Sequence, residues 1–215
     1  MVAASLCDLA EQSAERMAGE ADVRVTCGGS SDLVAQLESG ASADLIITAN
    51  MSTANDVVEL GLGDIERIIA TNELVLVTPA GNPGNVTGFD ESLNSVNTVT
   101  CAPQVPCGQV TGDLAERNGL DLEPVSEEQS VTDVLGKVTE GQADAGLVYR
   151  TDAARAGDLV EVMDIPHSEE FPNDYPLLYL GDGEPSEAAV AWVKELTEGE
   201  GREAMIAGGF TVVDP

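Results

Sequence analysis

Hydroxyl and amide groups cluster in short loops that precede predicted helices, a pattern typical of anion-binding sites. Ser5 follows the first apolar stretch, and the loop "GGSS" brings Ser30 to the start of a helix. Farther along, "APQVPCG" brings Cys107 to the loop before a helix that begins at Gly108, and "EEQSV" places Ser130 and Val131 at a helix start. "GLVYRTDA" ends a strand at Tyr149. Each serine could instead be an ordinary helix cap, and Tyr149 a half-buried core residue. Their joint occurrence in both halves of the chain favours the anion-binding interpretation.

These loops lie between apolar segments that alternate between strand and helix patterns. Strands are predicted at Val2–Ala4, "DVRVTC", "DLIITA", "ELVLVTPAG", "VNTVTCAP", "EPVSEEQ", "ADAGLVY", "DLVEVMDIP" and "DYPLLYLG". Helices are predicted over Leu6–Ala18, Asp32–Ser39, "STANDVVELGL", "GQVTGDLAERNGL", "SVTDVLGKVTEGQ" and "PSEAAVAWVKELTEGEGREAMIAGGF". Such alternation predicts βαβ units with parallel strands, whose carboxyl ends are where ligands bind in α/β proteins.

The alternation runs in two series, which predicts two α/β lobes. Crossings at "TPAG" and "DYPLL" divide the chain into one lobe of residues 1–78 and 177–215 and another of residues 79–176. The C-terminal helices return to the first of these lobes. The expected helix caps are Ser52 or Thr53, Gly119, and Thr151 or Asp152.

The charge of the chain excludes several classes of function. Its 215 residues include 39 acidic and 9 basic ones, for a net charge of -30. We therefore predict no nucleic-acid binding and no attraction to an anionic membrane surface. Because the acids are scattered along the chain, they predict a solvated acidic surface suited to high salt rather than one acidic site.

The residues that catalysis would need are sparse. The single histidine, His167, lies in the polar loop "IPHSEEFPND", and neither a P-loop nor a GxGxxG motif occurs. Acidic pairs such as Glu127–Glu128 and Glu169–Glu170 are most simply solvated. We therefore predict that the protein is not an enzyme.

Several stretches together resemble one family. They are "AASLCDL", "GGSSDLVAQLESGASADLIITAN", "NELVLVTPAGNP", "APQVPCGQ", "EGQADAGLVYRTDA" and "YPLLYL", which occur in the family's order between Ala3 and Phe210. The chain resembles molybdate-binding proteins of the ModA type, the periplasmic or lipid-anchored receptors of ABC importers. The resemblance implies a type II periplasmic-binding-protein fold. In that fold, two lobes with mixed, mostly parallel sheets are joined by two crossing strands, and the ligand cleft lies between the lobes.

The resemblance also implies a ligand and its donors. Molybdate, or tungstate, would be held by uncharged hydrogen-bond donors from the hydroxyls of Ser5, Ser30 and Tyr149 and the backbone N–H groups of Cys107 and Val131. Two positions depart from the family pattern, because Thr132 replaces an arginine and Cys107 replaces a smaller residue. Neutral donors suit a dianion, since each hydrogen bond to a charged acceptor contributes roughly 1.5–3 kcal/mol.

The same resemblance implies the protein's surroundings. We expect a monomer that has no cofactor and no separate metal site, since the metal arrives as its oxyanion. The expected partner is the membrane permease of an ABC importer, and the expected location is extracytoplasmic. "MVAASLCDL" begins almost inside a strand, so we expect that an export segment preceded it and is absent from this chain.

The four cysteines favour disulfides and an oxidising compartment, because their number is even and they include no CxxC pair. Cys7 begins the first helix and Cys27 ends a neighbouring strand, whereas Cys101 ends a strand and Cys107 lies in the loop that follows. We predict the pairs Cys7–Cys27 and Cys101–Cys107. Four buried thiols remain the alternative.

Other ligands remain open for the same fold. Sulfate and phosphate are the nearest rivals, although protonated phosphate calls for an acidic acceptor and none of the five matched residues is acidic. A receptor for Fe(III) would use tyrosinates, and Tyr149, Tyr175 and Tyr179 are the available tyrosines. We interpret Tyr175 and Tyr179 as residues of a crossing strand instead.

Overall fold

The structure is a computed structural model that describes residues 1–181 and 183–214. Its strands are β1 (Val2–Ala3), β2 (Cys27–Gly28), β3 (Leu45–Ile47), β4 (Gly63–Asn72), β5 (Leu74–Pro79), β6 (Thr98–Cys101), β7 (Ser126–Glu128), β8 (Ala145–Tyr149), β9 (Val160–Asp164), β10 (Asn173–Leu180) and β11 (Thr211–Val212). Its α-helices are α1 (Cys7–Arg16), α2 (Ser30–Glu38), α3 (Met51–Glu59), α4 (Pro106–Asn118), α5 (Val131–Thr139), α6 (Arg150–Ala156), α7 (Glu187–Thr197) and α8 (Gly199–Ala207). Short 3-10 turns cover Ala4–Leu6, Glu91–Ser95, Gly157–Leu159 and Ser168–Glu170.

The chain forms two compact units. The first comprises Met1–Thr71 and the chain from Asn173 onward, and the second comprises Asn72–Pro172. The chain thus leaves each unit several residues before the predicted boundaries at residues 78 and 176. Strand pairing explains the difference, because all of β5 pairs within the second unit and all of β10 belongs to the sheet of the first.

The first unit is built on a six-stranded sheet with the order β11-β4-β10-β3-β1-β2. β1 runs parallel to β2 and β3, whereas β10 is antiparallel to β3. Neighbouring residues on β3 enter different apolar clusters, Ile46 with Leu33 and Leu178, and Ile47 with Leu6 and Leu177. Because successive strand side chains point to opposite faces, this sheet is covered by helices on both sides.

The second unit is built on a five-stranded sheet with the order β7-β6-β8-β5-β9. β6 is parallel to β7 and β8, and β5 is antiparallel to β8 and β9. Its core contains the fully buried Leu76 and Leu147 of the sheet with Leu114 of α4 and Val134 of α5. This packing orients the amino ends of α4 and α5 toward the edge where β6, β7 and β8 end.

Both sheets are mixed, as the sequence predicts, but parallel pairing does not predominate. Of the strand pairs described with a register, four are parallel and four are antiparallel. The antiparallel pairs involve β5 and β10, which follow the two passages between units, and the C-terminal β11. The parallel βαβ part is therefore confined to three strands in each sheet.

Several local predictions differ from the structure. The sequence does not predict β4 and β11, and of "DVRVTC" only Cys27 joins a strand, where it pairs with Val2 of β1. The side chain of Asn50, not Ser52 or Thr53, caps α3 by accepting a hydrogen bond from the Thr53 N–H at 2.7 Å. Gly119 does close α4, with the positive φ of 66° that favours glycine.

All four cysteines form disulfides in the predicted pairs. Cys7–Cys27 ties the start of α1 to β2, and Cys101–Cys107 ties the end of β6 to the first turn of α4. Each bond therefore holds a loop that follows a parallel strand. Among the described residues, no helix has both the length and the apolar character needed to cross a membrane.

Candidate functional site

The first unit brings Ser5 and Ser30 to the same edge of its sheet. Val2 of β1 lies opposite Cys27 of β2 and Ile47 of β3 in parallel register. The carboxyl ends of these three strands therefore coincide, and each is followed at once by a loop or helix start. Ser5 lies in the 3-10 turn after β1, and Ser30 is the first residue of α2, two residues after β2.

Ser30 is oriented by a hydrogen bond from the next strand's loop. Its Oγ accepts the backbone N–H of Ala49 at 3.0 Å. Because a hydroxyl can accept and donate at once, this bond leaves the Ser30 proton available for an anion. The first N–H groups of α2, at Ser30, Ser31 and Asp32, also have no carbonyl partner within the helix. Ser30 thus adds a side-chain hydroxyl donor to the backbone N–H donors at the start of α2.

Ser5 is oriented by a tyrosine. Its Oγ lies 2.9 Å from the phenolic oxygen of Tyr175, and either oxygen could donate. Tyr175 is buried on β10 and packs edge-to-face on Phe210, with ring centroids 5.1 Å apart. If Tyr175 donates, the Ser5 hydroxyl keeps its own proton for another acceptor. The strand position of Tyr175 was predicted, but its bond to Ser5 was not, because nothing local in the sequence links residues so far apart.

The second unit places Cys107 at the amino end of α4. Pro106 is the first residue of this helix, and the N–H of Cys107 is among those that no helix carbonyl can reach. The hydroxyl of Thr111 donates to the Cys107 carbonyl at 2.8 Å, which fixes the turn from within the helix. Gly108 allows a close approach, since a Cβ there would lie 1.9 Å from the Ala102 carbonyl oxygen.

Val131 is the first residue of α5, and Ser130 is the N-cap residue of this helix. The Ser130 Oγ accepts the Asp133 N–H at 3.2 Å and donates to the Asp133 carboxylate at 2.8 Å. The N–H groups of Val131 and Thr132 therefore remain at the open end of the helix. Thr132, which stands where the family pattern has arginine, is exposed.

Tyr149 ends β8 and is itself the N-cap residue of α6, so neither Thr151 nor Asp152 has the predicted capping position. Its side chain is half-buried. Parallel register places Thr98 opposite Ala145 and Cys101 opposite Glu128. The carboxyl ends of β6, β7 and β8 therefore share one edge, which carries Tyr149 with the starts of α4 and α5.

A charged network fixes the residues after Tyr149. The Arg150 guanidinium donates to Glu73 and, at 2.8 Å, to Asp164. Burial alone would lower the pKa of Arg150, but the hydrogen bonds to Asp164 and Glu73 outweigh burial and raise it. Burial raises the pKa of Asp152 against the opposing effect of Arg155. Arg150 is therefore a fixed cation whose charge is compensated by two carboxylates.

The sequence pattern of one family matches nearly the whole chain. The family is the bacterial extracellular solute-binding proteins, and the match covers residues 1–211. The chain belongs to this family. The ModA molybdate-binding protein of Mycobacterium tuberculosis is 38% identical over 191 residues, which are 88% of this chain and 73% of that protein. The resemblance to ModA proteins indicated by the sequence is thereby confirmed.

Solved structures show the same fold. A substrate-binding domain from Clostridium difficile superposes with a TM-score of 0.81 at 24% identity, covering 99% of this chain and 97% of that one. The periplasmic molybdate-binding protein of Azotobacter vinelandii gives a TM-score of 0.71 at 19% identity, covering 100% and 98%. The α/β fold of periplasmic binding proteins that the sequence predicts is confirmed.

Other clusters of this solute-binding protein fit a site less well. His167, Glu169 and Glu170 could together approach a metal ion. However, Arg117 donates to both carboxylate oxygens of Glu170 at 2.8 Å, and Arg117 and His167 lower the pKa of Glu170 to about 2. A carboxylate already held by arginine is a poor metal ligand.

The solute-binding protein also has a cavity of about 540 Å³ within its first unit. It is lined by the amino ends of β1 and β3 and by Trp192 of α7. It therefore lies at the sheet edge opposite the one that carries Ser5 and Ser30, and it is separate from the candidate anion site.

Proposed function

We propose that this protein binds molybdate outside the cytoplasm and delivers it to the membrane permease of an ABC importer. The observation that carries the proposal is that all five predicted donors lie where parallel strands end, in a chain 38% identical to ModA. We also propose that tungstate is bound, since it has the same charge and tetrahedral shape. The same proposal makes the protein a monomeric carrier without cofactor or catalytic activity.

The five donors match the chemistry of this ion. Molybdate is a dianion with four acceptor oxygens, and Ser5, Ser30 and Tyr149 offer hydroxyl protons while Cys107 and Val131 offer helix N–H groups. Donors to a charged acceptor contribute roughly 1.5–3 kcal/mol each, so several together hold a dianion without a lysine or arginine. We propose that all five act on the same ion.

The net charge of -30 does not oppose this proposal at working salt concentrations. Exposed charges are screened over about 8 Å at physiological ionic strength, whereas fixed donors act at contact distance. Repulsion should therefore slow association at low salt and leave the affinity set by the donors.

Isothermal titration tests the proposal. Molybdate and tungstate should each give a saturable signal with one ion per chain, and each should raise the melting temperature by mass action. Sulfate, phosphate and Fe(III) at the same concentrations should give neither effect. A stronger response to sulfate would assign the protein to another oxyanion, phosphate binding would contradict the all-donor set, and Fe(III) binding would point to tyrosinate ligands.

A further inference from the structure

The two residues that follow Tyr149 are held by one short segment where β4 ends and β5 begins. Glu73 accepts Arg150 Nε at 3.2 Å and Nη2 at 2.8 Å on its Oε1, and its carbonyl accepts the Arg150 N–H at 2.9 Å. Asn72 donates from Nδ2 to the Thr151 hydroxyl at 2.9 Å. The chain leaving Tyr149 is therefore fixed through both backbone and side chains.

The second oxygen of Glu73 is also used. It accepts the hydroxyl of Ser168 at 2.8 Å, and Ser168 is only 4% exposed. The Asn72 side-chain oxygen accepts the Glu73 N–H at 3.0 Å, which orients Glu73 itself. Both oxygens of the carboxylate thus have donors, and a carboxylate held in this way has little freedom to rotate.

We propose that Glu73 is a positioning residue for Tyr149 in the oxyanion site. This inference rests on the proposed function. Tyr149 is the N-cap residue of α6, so the backbone angles of Tyr149 and Arg150 decide where its phenol points. Glu73 holds that junction from the position just before β5, since Leu74, the first residue of β5, lies opposite Tyr149 in the β5–β8 register. The carboxylate keeps the phenol aimed at the ion without touching the ion.

Electrostatics alone predicts the opposite result for loss of Glu73. Removing a carboxylate would leave the Arg150 cation less compensated and would attract a dianion more strongly. Positioning predicts weaker binding, because the Tyr149 hydroxyl would lose its fixed direction. The sign of the change in molybdate affinity therefore separates the two explanations.

The test measures molybdate binding by titration calorimetry in the whole 215-residue chain. Glu73→Ala should raise Kd about tenfold, the size of a typical coupling between neighbouring residues. Glu73→Gln should stay within about threefold, because its amide oxygen can accept Arg150 and its NH₂ can donate to the Ser168 hydroxyl. The matched control is Glu195→Ala, which breaks the Arg16–Glu195 pair in the first unit. The side chains of that pair are 27% and 31% exposed, against 31% and 23% for Arg150 and Glu73.

A double-mutant cycle isolates the role of Tyr149. In a Tyr149→Phe background, Glu73→Ala should change Kd by less than about twofold, since there is no hydroxyl left to position. Its effect on the melting temperature should be the same in both backgrounds. An unchanged tenfold effect in the Phe background, or tighter binding by Glu73→Ala, would overturn the inference. Absence of molybdate binding by the wild type would instead refute the proposed function.

Discussion

The two sheet edges present the same chemistry by different means. In the six-stranded sheet, the proposed donors Ser5 and Ser30 are side-chain hydroxyls. Each is oriented by a hydrogen bond within the protein, Ser5 with Tyr175 and Ser30 with the Ala49 N–H. In the five-stranded sheet, two proposed donors are backbone N–H groups at the starts of α4 and α5. There only Tyr149 contributes a side chain, and an ion-pair network fixes the residues that follow it.

This difference separates two kinds of dependence on sequence. A hydroxyl donor depends on the identity of one residue. A backbone donor depends on the path of the chain, and therefore on glycines, disulfides and caps around it. The first edge should be sensitive to changes at its donors, and the second to changes beside them.

The largest expected effect concerns the disulfide at each edge. Replacing Cys7 and Cys27 by Ala should lower the free energy of unfolding by about 3 kcal/mol, because the bond closes a loop with a sequence separation of 20. The Cys101–Cys107 bond, with a separation of 6, should contribute about 2 kcal/mol. Urea unfolding followed by circular dichroism measures both. If the shorter loop contributed more, chain entropy would not explain either bond.

The next largest effect tests the edge of the six-stranded sheet, where the proposed donors are serine hydroxyls. Ser30→Ala removes a donor oriented by Ala49 and should raise the Kd for molybdate about 30-fold, which corresponds to about 2 kcal/mol. Ser31→Ala is the matched control, since Ser31 is the next residue of the same helix and is exposed. It should change Kd by less than about twofold, as measured by calorimetry. Equal effects would mean that the helix end, not the hydroxyl, binds the ion.

A smaller effect tests the edge of the five-stranded sheet, where two proposed donors are backbone N–H groups. Two glycines of α4 provide the test. Gly108→Ala would place a Cβ 1.9 Å from the Ala102 carbonyl oxygen, so the start of α4 must shift. We expect a loss of about 1–2 kcal/mol in stability and weaker molybdate binding.

Gly112→Ala is the control, because a Cβ there meets no atom within 4 Å. It should stabilise the helix by about 0.5–1 kcal/mol and leave the affinity unchanged. Thermal unfolding and calorimetry on both variants give the comparison. Unchanged binding by Gly108→Ala would show that the Cys107 N–H is not a ligand.

The smallest expected effect concerns the ion pair between Arg117 and Glu170, neither of which is a proposed donor. Arg117 lies in the last turn of α4, and together with His167 it lowers the pKa of Glu170 from 4.5 to about 2. A lowered carboxyl pKa contributes stability that is present above 4.5 and is lost as pH falls toward 2. Glu170→Gln should therefore be less stable than wild type at about pH 7, with the difference shrinking toward about pH 3 in urea unfolding. A stability difference between the two proteins that grew at low pH would contradict the lowered pKa of Glu170.

Most of the parallel βαβ framework could be predicted because its signals are local. Alternating apolar segments located β3, β6 and β8, and Gly119 marked the end of α4. β4 carries a detectable signal too, since Ile65 and Arg67 alternate with the exposed acids Asp64 and Glu66 before the apolar run Ile68–Ala70. It was missed because charged residues interrupt the apolar run.

What could not be predicted joins distant residues. The Ser5–Tyr175 bond spans 170 positions, and the Glu73–Arg150 pair spans 77. Nothing in the local pattern of either segment indicates its partner, because these contacts depend on strand order and register. The boundaries between the two units differ from those predicted for the same reason, because they too depend on strand order and register.

The N–H groups at the starts of α4 and α5 have a consequence for how such a receptor evolves. A single codon change can delete the hydroxyl of Ser30, but proline is the only residue whose arrival deletes the amide hydrogen of Val131. A single mutation can therefore remove a hydroxyl donor such as that of Ser30 or Tyr149 directly, whereas at the two amide donors, proline apart, it must act through the path of the chain. We expect ligand preference to diversify on the serine side while the amide side is inherited with the fold.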